Sequence, residues 1–462
     1  MSTFRERART LLATPGLGSA IGHAMDVRAE TRQHAFGDAD FEALRQTARA
    51  IRAHTIASLP EYLERFADAA EASGARVFFA STAGEAVAHI GRIVREHGGR
   101  LVVKSKSMVT EEIELTAALE RDGAEVVETD LGEHIVQIAQ ERPSHITVPA
   151  VHKTRAQVRE LFERVYGARL SDDPAQITRF ARDVLRDRFL NADVGITGVN
   201  FGVASTGSLV IVTNEGNRRM CTSLPPVHIA VMGMERLVPT FRELSVLLPL
   251  LTASATGQRI TSYVNVVNGP RRTDEPDGPE ELHIVVVDNG RSALLPTEYR
   301  PVLNCIRCGA CQNVCPVFRH VGGHAYGSVY GGPIGAVLTP LMEGFTRAGD
   351  LPHASTLCAA CSDACPVGIP LHDLLIGLRR DAAAERASRA ERVGFALWGR
   401  VWGSAPGYRA SVRLARAGQR LFARGGRLGR APFPLSRWTA GRDLPALAKR
   451  PFRDTWRRAG GA

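Results

Sequence analysis

The pattern of apolar and polar residues changes near residue 75. Before that point, apolar side chains recur three and four positions apart, as in residues 41–49 and 59–66, which predicts a polar, helical N-terminal region over residues 1–70. After it, short apolar runs alternate with amphipathic stretches such as residues 85–93. This alternation predicts an α/β domain over residues 71–295, with an open, mostly parallel sheet that carries helices on both faces.

The predicted strands and helices follow each other in a β-α-β-α-β series. A helix over residues 85–93 follows the first strand, and a helix over residues 111–119 follows the second. Such a series builds a single parallel sheet. Strands are predicted at residues 76–80, 101–104, 124–128, 145–148, 207–212, 228–232 and 282–287.

Cysteines dominate the next region, residues 296–385. Seven of the eight cysteines lie between positions 305 and 365, in two runs that each end in Cys-Pro. The first run has the C-x₂-C-x₂-C-x₃-C-P spacing of bacterial two-cluster ferredoxins, in which the fourth cysteine of a run ligates the other cluster. This spacing predicts a ferredoxin-like module with one cluster held by Cys305, Cys308, Cys311 and Cys365, and a second held by Cys315, Cys358 and Cys361.

The second run lacks its first cysteine, and the same spacing places the missing ligand at Ser355. Three alternatives follow: a three-iron cluster, a four-iron cluster whose fourth iron takes water, Ser355, a partner's residue or substrate, or no cluster. Ser355 is not assigned as a ligand, because a serine oxygen replaces a soft thiolate poorly. Structural zinc would not require this spacing, and disulfides are disfavoured because nothing marks the chain for secretion.

Charged residues just beyond the predicted strands are the candidates for a second site. No G-x-G-x-x-G motif after a strand and no P-loop lysine motif occurs, so no tightly bound nicotinamide or flavin is expected in this chain. Ligands of open α/β sheets bind at the carboxyl ends of strands. Any one such charge is more often a helix cap or a solvated group, but together they mark an edge suited to a carboxylate or phosphate. They are Lys104, Lys106, Glu128, Asp130, His152, Glu215, Asn217 and Arg218.

Basic residues are concentrated in the tail, residues 386–462. The net charge is +10, but from Arg392 onward there are 15 arginines and one lysine against Asp443 and Asp454, a local +14 that leaves the rest near −4. Arginine with aromatic residues suits an anionic membrane surface or a protein partner, and a solvated tail is an equal alternative. No nucleic-acid motif accompanies it, so no nucleic acid is expected. The tail also holds all four tryptophans, Trp398, Trp402, Trp438 and Trp456.

The length and position of the apolar stretches predict the cellular location of the protein. The N-terminus has no apolar run after its charges, so no signal peptide is expected. The most apolar stretch, residues 246–251, is too short to span a membrane and contains Pro249. A cytoplasmic location is expected, with the tail as a candidate for peripheral contact with the inner face of the membrane.

Two segments of the α/β domain resemble signatures of the lactate-utilisation domain. One is Lys104-Ser-Lys-Ser-Met-Val-Thr-Glu-Glu, and the other is residues 195–226, which begin Gly-Ile-Thr-Gly-Val-Asn-Phe-Gly. The cysteine runs, joined by Gly322-Gly-His-Ala-Tyr-Gly-Ser-Val-Tyr, resemble the iron–sulfur half of the lactate utilisation protein B family. The resemblance covers about residues 40–380 in one order, and does not extend to the basic tail.

The resemblance implies two [4Fe-4S] clusters and an α/β fold similar to the ribose-phosphate isomerase and CoA-transferase group. It implies an electron-transfer subunit of a multi-protein system that oxidises L-lactate to pyruvate, rather than a complete enzyme. Expected partners are the other lactate-utilisation subunits and a downstream electron acceptor. Two alternatives remain: an α/β domain that itself transforms an organic acid, and an adaptor linking another soluble 2-hydroxy-acid or organic-acid dehydrogenase to a membrane acceptor.

Overall fold

Four helices form the N-terminal region in a computed structural model that describes residues 2–37, 39–429, 436, 439 and 444–459. The chain divides into two units, one ending at Ala383 and one beginning at Ala384. Trp438 and Asp443 of the basic tail lie outside the described residues. The four helices are α1 (Phe4–Leu12), α2 (Leu17–Phe36), α3 (Phe41–Ala57) and α4 (Leu59–Ala72).

A six-stranded parallel sheet forms the centre of the first unit. Its strands are β1 (Arg76–Ala80), β2 (Leu101–Lys104), β3 (Glu125–Glu128), β4 (Val194–Gly198), β7 (Val227–Gly233) and β10 (Glu281–Val287). Their order across the sheet is β1-β10-β7-β4-β2-β3. Successive side chains of β7 enter different cores, Ile229 and Val231 on one face and Ala230 and Met232 on the other. The predicted open parallel sheet covered on both faces is therefore confirmed.

Eight helices accompany this sheet, and a smaller four-stranded sheet packs beside it. The helices are α5 (Ala83–Glu96), α6 (Met108–Glu112), α7 (Leu115–Arg121), α8 (Leu131–Ile138), α9 (Arg155–Tyr166), α10 (Pro174–Leu190), α11 (Asn217–Ser223) and α12 (Phe241–Thr256). The small sheet contains β5 (Phe201–Val203), β6 (Ser208–Thr213), β8 (Leu237–Val238) and β9 (Tyr263–Val267). Its order is β8-β5-β6-β9, and only β5 and β8 pair in parallel.

Three sequence predictions need correction. Residues 111–119 form two helices, α6 and α7, because Glu114 at their junction adopts a left-handed conformation with φ of 52°. Residues 145–148 are a loop rather than a strand, since the backbone N–H groups of Thr147 and Val148 donate to the His145 ring instead of a neighbouring strand. The central strand β4 is missing from the prediction because its glycines obscure the apolar run. One of them, Gly195, permits close packing, since a Cβ there would lie 2.0 Å from the carbonyl oxygen of Cys221.

Six helices lie within and after the two cysteine runs. They are α13 (Ala310–Asn313), α14 (Pro316–Val321), α15 (Gly332–Glu343), α16 (Phe345–Ala348), α17 (Ala360–Asp363) and α18 (Leu371–Arg386). The two of them that contain a cysteine, α13 and α17, are four residues long. Five 3₁₀ turns complete the first unit, at Met234–Arg236, Ser292–Leu294, Arg300–Asn304, His324–Tyr326 and Leu351–His353. The N-terminal helices hold the second run, since Arg32 and Arg45 donate to the carbonyls of Ala364 and Ser362 at 3.1 and 3.2 Å.

Among its described residues, the second unit contains three helices and two short strands that pair in antiparallel fashion. Ser388 caps its first helix, with the backbone N–H of Glu391 donating to the Ser388 hydroxyl at 3.2 Å. Among the described residues, no helix combines the length and hydropathy needed to cross a bilayer. The elements are α19 (Arg389–Trp402), α20 (Ala405–Gln419), β11 (Arg427–Leu428), β12 (Leu444–Pro445) and α21 (Phe452–Arg458).

Buried charges join the sheet to the cysteine-bearing part of the first unit. Arg291 follows β10, is fully buried, and pairs with Glu112 at 2.7 Å and with Glu235 at 2.8 Å. Arg307, from the first cysteine run, pairs with Glu235 at 3.2 Å, and the Tyr330 hydroxyl donates to Glu112 at 2.5 Å. We call these five residues the charged junction. Removing one partner of a buried pair leaves an uncompensated charge, which makes the junction sensitive to substitution.

Replacing Arg291 by Met should lower the free energy of unfolding by about 3–5 kcal/mol, because Glu112 and Glu235 would remain buried without their shared cation. The matched control is Arg76→Met. Arg76 also pairs with a glutamate, Glu281, but its side chain is 65% exposed, so the expected loss is below about 1 kcal/mol. Denaturant unfolding of both variants checks this, and equal losses would contradict it.

Candidate metal centre and the adjoining cavity

Three cysteines of the first run and one of the second line a common cavity. The rest of its wall is largely apolar, with Ile306, Ile334 and Val367 among its residues. No three of the described His, Cys, Asp or Glu side chains converge closely enough to hold a single metal ion, and these thiols instead surround a space. The four cysteines are Cys305, Cys308, Cys311 and Cys365, the set that the spacing assigns to one cluster.

Tight turns of the backbone present these thiols. Arg307 and Gly309 both adopt left-handed conformations, with φ of 60° and 76°, which curl the first run around the cavity. Backbone N–H groups point at the sulfurs: Arg307 donates to the Sγ of Cys305, and Ile369 donates to the Sγ of Cys365, both at 3.4 Å. Such N–H donors stabilise charge on a thiolate.

Burial makes these thiols reluctant to ionise without a metal. Burial, followed by repulsion from Cys365, raises the pKa of Cys308 to about 12, and burial raises the pKa of Cys365 to about 11. Several thiolates in one apolar cavity repel each other, and iron bound to them supplies the opposing positive charge. The donor set therefore fits an iron–sulfur cluster.

The other three cysteines form a second group beside the first. Burial, followed by repulsion from Cys315, raises the pKa of Cys361 to about 11, and Cys358 also acts on both thiols. Cys358 itself is exposed, and a hydrogen bond from Thr356 lowers its pKa. The groups adjoin because α13 and α17, which carry Cys311 and Cys361, pack against each other.

Two oxygen-bearing side chains near this second group differ in their partners. The hydroxyl of Ser355 accepts a hydrogen bond from the backbone N–H of Leu357 at 3.1 Å, within a local turn. Tyr326 is buried, and burial, followed by the nearby thiol of Cys315, raises the pKa of its hydroxyl. Within the described part of the chain this hydroxyl has no hydrogen-bond partner. An orphaned, buried donor beside a thiol fits a group that carries negative charge on sulfur.

A cavity also lies at the carboxyl edge of the main sheet. Four predicted candidates line it, namely Lys106, Asp130, Glu215 and Arg218. Sequence reasoning missed Asn200, Arg236 and Arg307, which line it as well. Asn200 lies two residues after the end of the unpredicted strand β4. For Arg307, its position inside the first cysteine run was the available signal.

The other predicted candidates do not line this cavity, and they form ion pairs or hydrogen bonds with other residues. Lys104 is fully buried and pairs with Glu128 at 2.5 Å and with Glu111 at 3.0 Å. Burial alone would lower the pKa of Lys104, but these carboxylates raise it, so the lysine stays charged. Asn217 accepts from the Thr213 hydroxyl at 2.9 Å, and His152 pairs with Glu141 at 2.6 Å.

The lone cysteine of the α/β domain, Cys221, is fully buried. Burial raises the pKa of its thiol to about 12, and the nearest polar partner is the Thr129 hydroxyl at 3.4 Å. A buried thiol with a raised pKa behaves as a small apolar side chain.

Comparison with protein-family models matches three consecutive parts of the chain. A LUD domain matches residues 63–287, a 4Fe-4S dicluster domain residues 301–369, and the C-terminal domain of lactate utilisation protein B residues 380–460. The last match corrects the expectation that the basic tail lies outside the family resemblance. A dicluster domain of the 4Fe-4S type supports iron–sulfur clusters and gives no support to the three-iron alternative.

Curated relatives match nearly the whole chain. Lactate utilization protein B of Bacillus licheniformis is 49% identical over 98% of this chain and 95% of its own length. The proteins of the same name from Shouchella clausii and Bacillus thuringiensis are 52% and 50% identical. These two alignments each cover 90% of this chain, with 88% and 89% of the relatives' lengths.

Replacing Tyr326 by Phe should lower the reduction potential of the second centre by on the order of tens of millivolts, because hydrogen bonds to cluster sulfurs help to set potentials. A potentiometric titration followed by paramagnetic resonance measures this. Tyr299→Phe is the matched control, because Tyr299 is also buried but its hydroxyl donates to Asp381 rather than to a cysteine. Unchanged potentials in Tyr326→Phe protein with both clusters present would contradict the expected contact.

Proposed function

Because the chain belongs to the lactate utilization protein B family, we propose that it is the iron–sulfur electron-transfer subunit of a multi-protein system that oxidises L-lactate to pyruvate. The observation that carries the proposal is the apolar cavity lined by three thiols of the first run and by Cys365. Four soft ligands around one enclosed space suit a cubane cluster. A cluster bound there would accept and release one electron at a time.

We assign the ligands in two sets. Cys305, Cys308, Cys311 and Cys365 hold the first cluster, which the shared cavity supports. The second cluster is held by Cys315, Cys358 and Cys361, which the mutual repulsion of their thiols supports. Its fourth position takes a ligand other than cysteine, because the remaining cysteine, Cys221, is buried in the α/β domain.

The proposed role requires partners. Lactate oxidation removes two electrons, whereas a cluster carries one at a time, so a two-electron centre belongs to another subunit. No dinucleotide fingerprint or P-loop motif occurs in this chain, which supports that division of labour. The remaining partners in the proposal are the other lactate-utilisation subunits and a downstream electron acceptor.

The second unit supports a further contact, with the anionic inner face of a membrane from the cytoplasmic side. Helix α19 exposes Trp398 and Trp402 by 56% and 48%, with ring centroids 5.4 Å apart, beside arginines that give this tail its local charge. Aromatic residues with arginine bind the lipid interface by apolar burial and by attraction to anionic headgroups. This contact would also serve the adaptor alternative, in which another dehydrogenase supplies the electrons.

Protein purified anaerobically should carry about eight iron atoms per chain. Cys365→Ala should lose about four of them, together with the resonance signal of one cluster, because the first set loses a ligand. Cys221→Ala is the matched control and should retain all of the iron, since Cys221 lies outside both runs. Zinc without iron after anaerobic cluster reconstitution would overturn the assignment. L-lactate should reduce the clusters only when the other subunits are added.

The full chain should sediment with vesicles that contain anionic lipid and not with neutral vesicles. The double substitution Trp398→Ala and Trp402→Ala should weaken this binding roughly tenfold, because the apolar part of the contact is lost. Phe79→Ala is the control, since Phe79 is 48% exposed, like Trp402, but lies in the first unit. Sedimentation with neither kind of vesicle would exclude the membrane contact, and equal sedimentation with both would exclude the proposed attraction to an anionic surface.

A further inference from the structure

The cavity at the carboxyl edge of the sheet carries more positive than negative side chains. Its cations are Lys106, Arg218, Arg236 and Arg307, and its carboxylates are Asp130 and Glu215. Its volume is about 230 Å³, below the ~300–1,000 Å³ of pockets that hold drug-sized ligands. Lys106 and Arg307 also pair with Glu133 and Glu235, which do not line the cavity, so the positive excess is small. A small, weakly positive space suits a compact monoanion better than a polyphosphate or a nucleotide.

The guanidinium of Arg218 is held in place by the protein. Its Nη1 donates to the Oδ1 of Asn200 at 2.9 Å, and its Nη2 donates to the carbonyl of Lys106 at 3.0 Å. A cation fixed in this way keeps its orientation when the ligand leaves, so little conformational freedom is lost on binding.

Arg307 connects this cavity to the cysteine cavity. Its backbone N–H donates to the Sγ of Cys305 at 3.4 Å, and the residue lines both spaces, as does Ile146. Its Nη2 pairs with Glu235, whereas its Nη1 is buried and, in the part of the chain that the structure describes, has no hydrogen-bond partner. A buried donor without a partner is unfavourable, and an anion in the cavity would supply the missing acceptor.

We propose that this cavity binds a small carboxylate of the 2-hydroxy or 2-oxo acid class, with Arg218 and Arg307 as its cationic anchors, directly beside the first cysteine group. The small volume and the orphaned Nη1 favour a monoanion. The hydroxyl of Ser107 and the amide of Asn200 line the same space and suit the oxygen at the second carbon. The acid class rests on the proposed function, whereas the anion site rests on the geometry.

Binding of the acid in this cavity should change the reduction potential of the first cluster. An anion near a cluster disfavours the addition of a further negative charge, so its reduction potential falls when the ligand binds. This shift is a readout that does not depend on turnover by the assembled system.

Calorimetry of the full-length, cluster-loaded protein with L-lactate, pyruvate, acetate and inorganic phosphate tests the proposal. Lactate or pyruvate should bind at least tenfold more tightly than acetate or phosphate, and should lower the potential of the first cluster. Arg218→Gln should weaken binding at least tenfold. Arg219→Gln is the matched control and should bind as the unaltered protein does, because the neighbouring Arg219 is exposed and does not line the cavity.

A second variant covers the case in which Arg218→Gln fails to fold. Asn200→Asp keeps the acceptor that takes hydrogen bonds from the N–H of Val212 and from Arg218, both at 2.9 Å, and adds a negative charge to the cavity wall. It should weaken carboxylate binding at least tenfold through repulsion. Unchanged affinity in this variant would overturn the proposal.

Three further results would also overturn it. Cluster-loaded protein that binds none of the four anions excludes the site but leaves the electron-transfer role intact. Equal affinity for phosphate and pyruvate excludes the acid class. Equal losses in the Arg218 and Arg219 variants place the ligand elsewhere. Failure of the proposed function appears separately, as missing iron in the same sample or as clusters that lactate cannot reduce with every subunit present.

Discussion

The carboxylate of Glu235 lies at the point where the sheet and the cysteine runs meet, and the rest of the first unit is arranged around it. Burial alone would raise the pKa of Glu235, but Arg291, Arg307 and Arg236 together lower it to about 2, so the group stays ionised at neutral pH. One anion thereby pairs with arginines from two distant parts of the chain, Arg291 and Arg307. A buried charge network of this kind adds little net stability, but it tolerates few alternative arrangements.

Two buried arginines outside the charged junction hold a stretch with little regular structure in place. The first cysteine run has carbonyls that no strand or long helix satisfies, and buried arginines supply the donors. Arg236 donates to the carbonyls of Cys305 and Ile306, and Arg52 donates to those of Leu303 and Asn304. The shape of the first thiol cavity is therefore set by the α/β domain and by helix α3, not by the cysteine runs alone.

Much of this architecture could be predicted from the sequence, because apolar runs and cysteine spacing report local geometry. The parallel strands β1, β2, β3, β7 and β10 follow from their patterns, and the spacing groups Cys365 with the first run, although the ligand roles stay a prediction. Strand β4 and the loop at residues 145–148 could not be read in this way, since tertiary partners decide them. Lys104 and Lys106 are two residues apart, yet only Lys106 lines the cavity, because the partners of Lys104 lie outside it.

The unequal exposure of the cysteines gives the two thiol groups different access to the outside. Cys358 is exposed, whereas Cys308 and Cys365 are buried and the other cysteines, all of which the structure describes, are buried or half-buried. The first set of thiols is therefore the inner one, enclosed by the α/β domain. The second set, which contains Cys358, is the outer one. In the proposed electron-transfer role, Cys358 is the cysteine that a redox partner at the surface can approach most directly, because the other thiols are buried or half-buried.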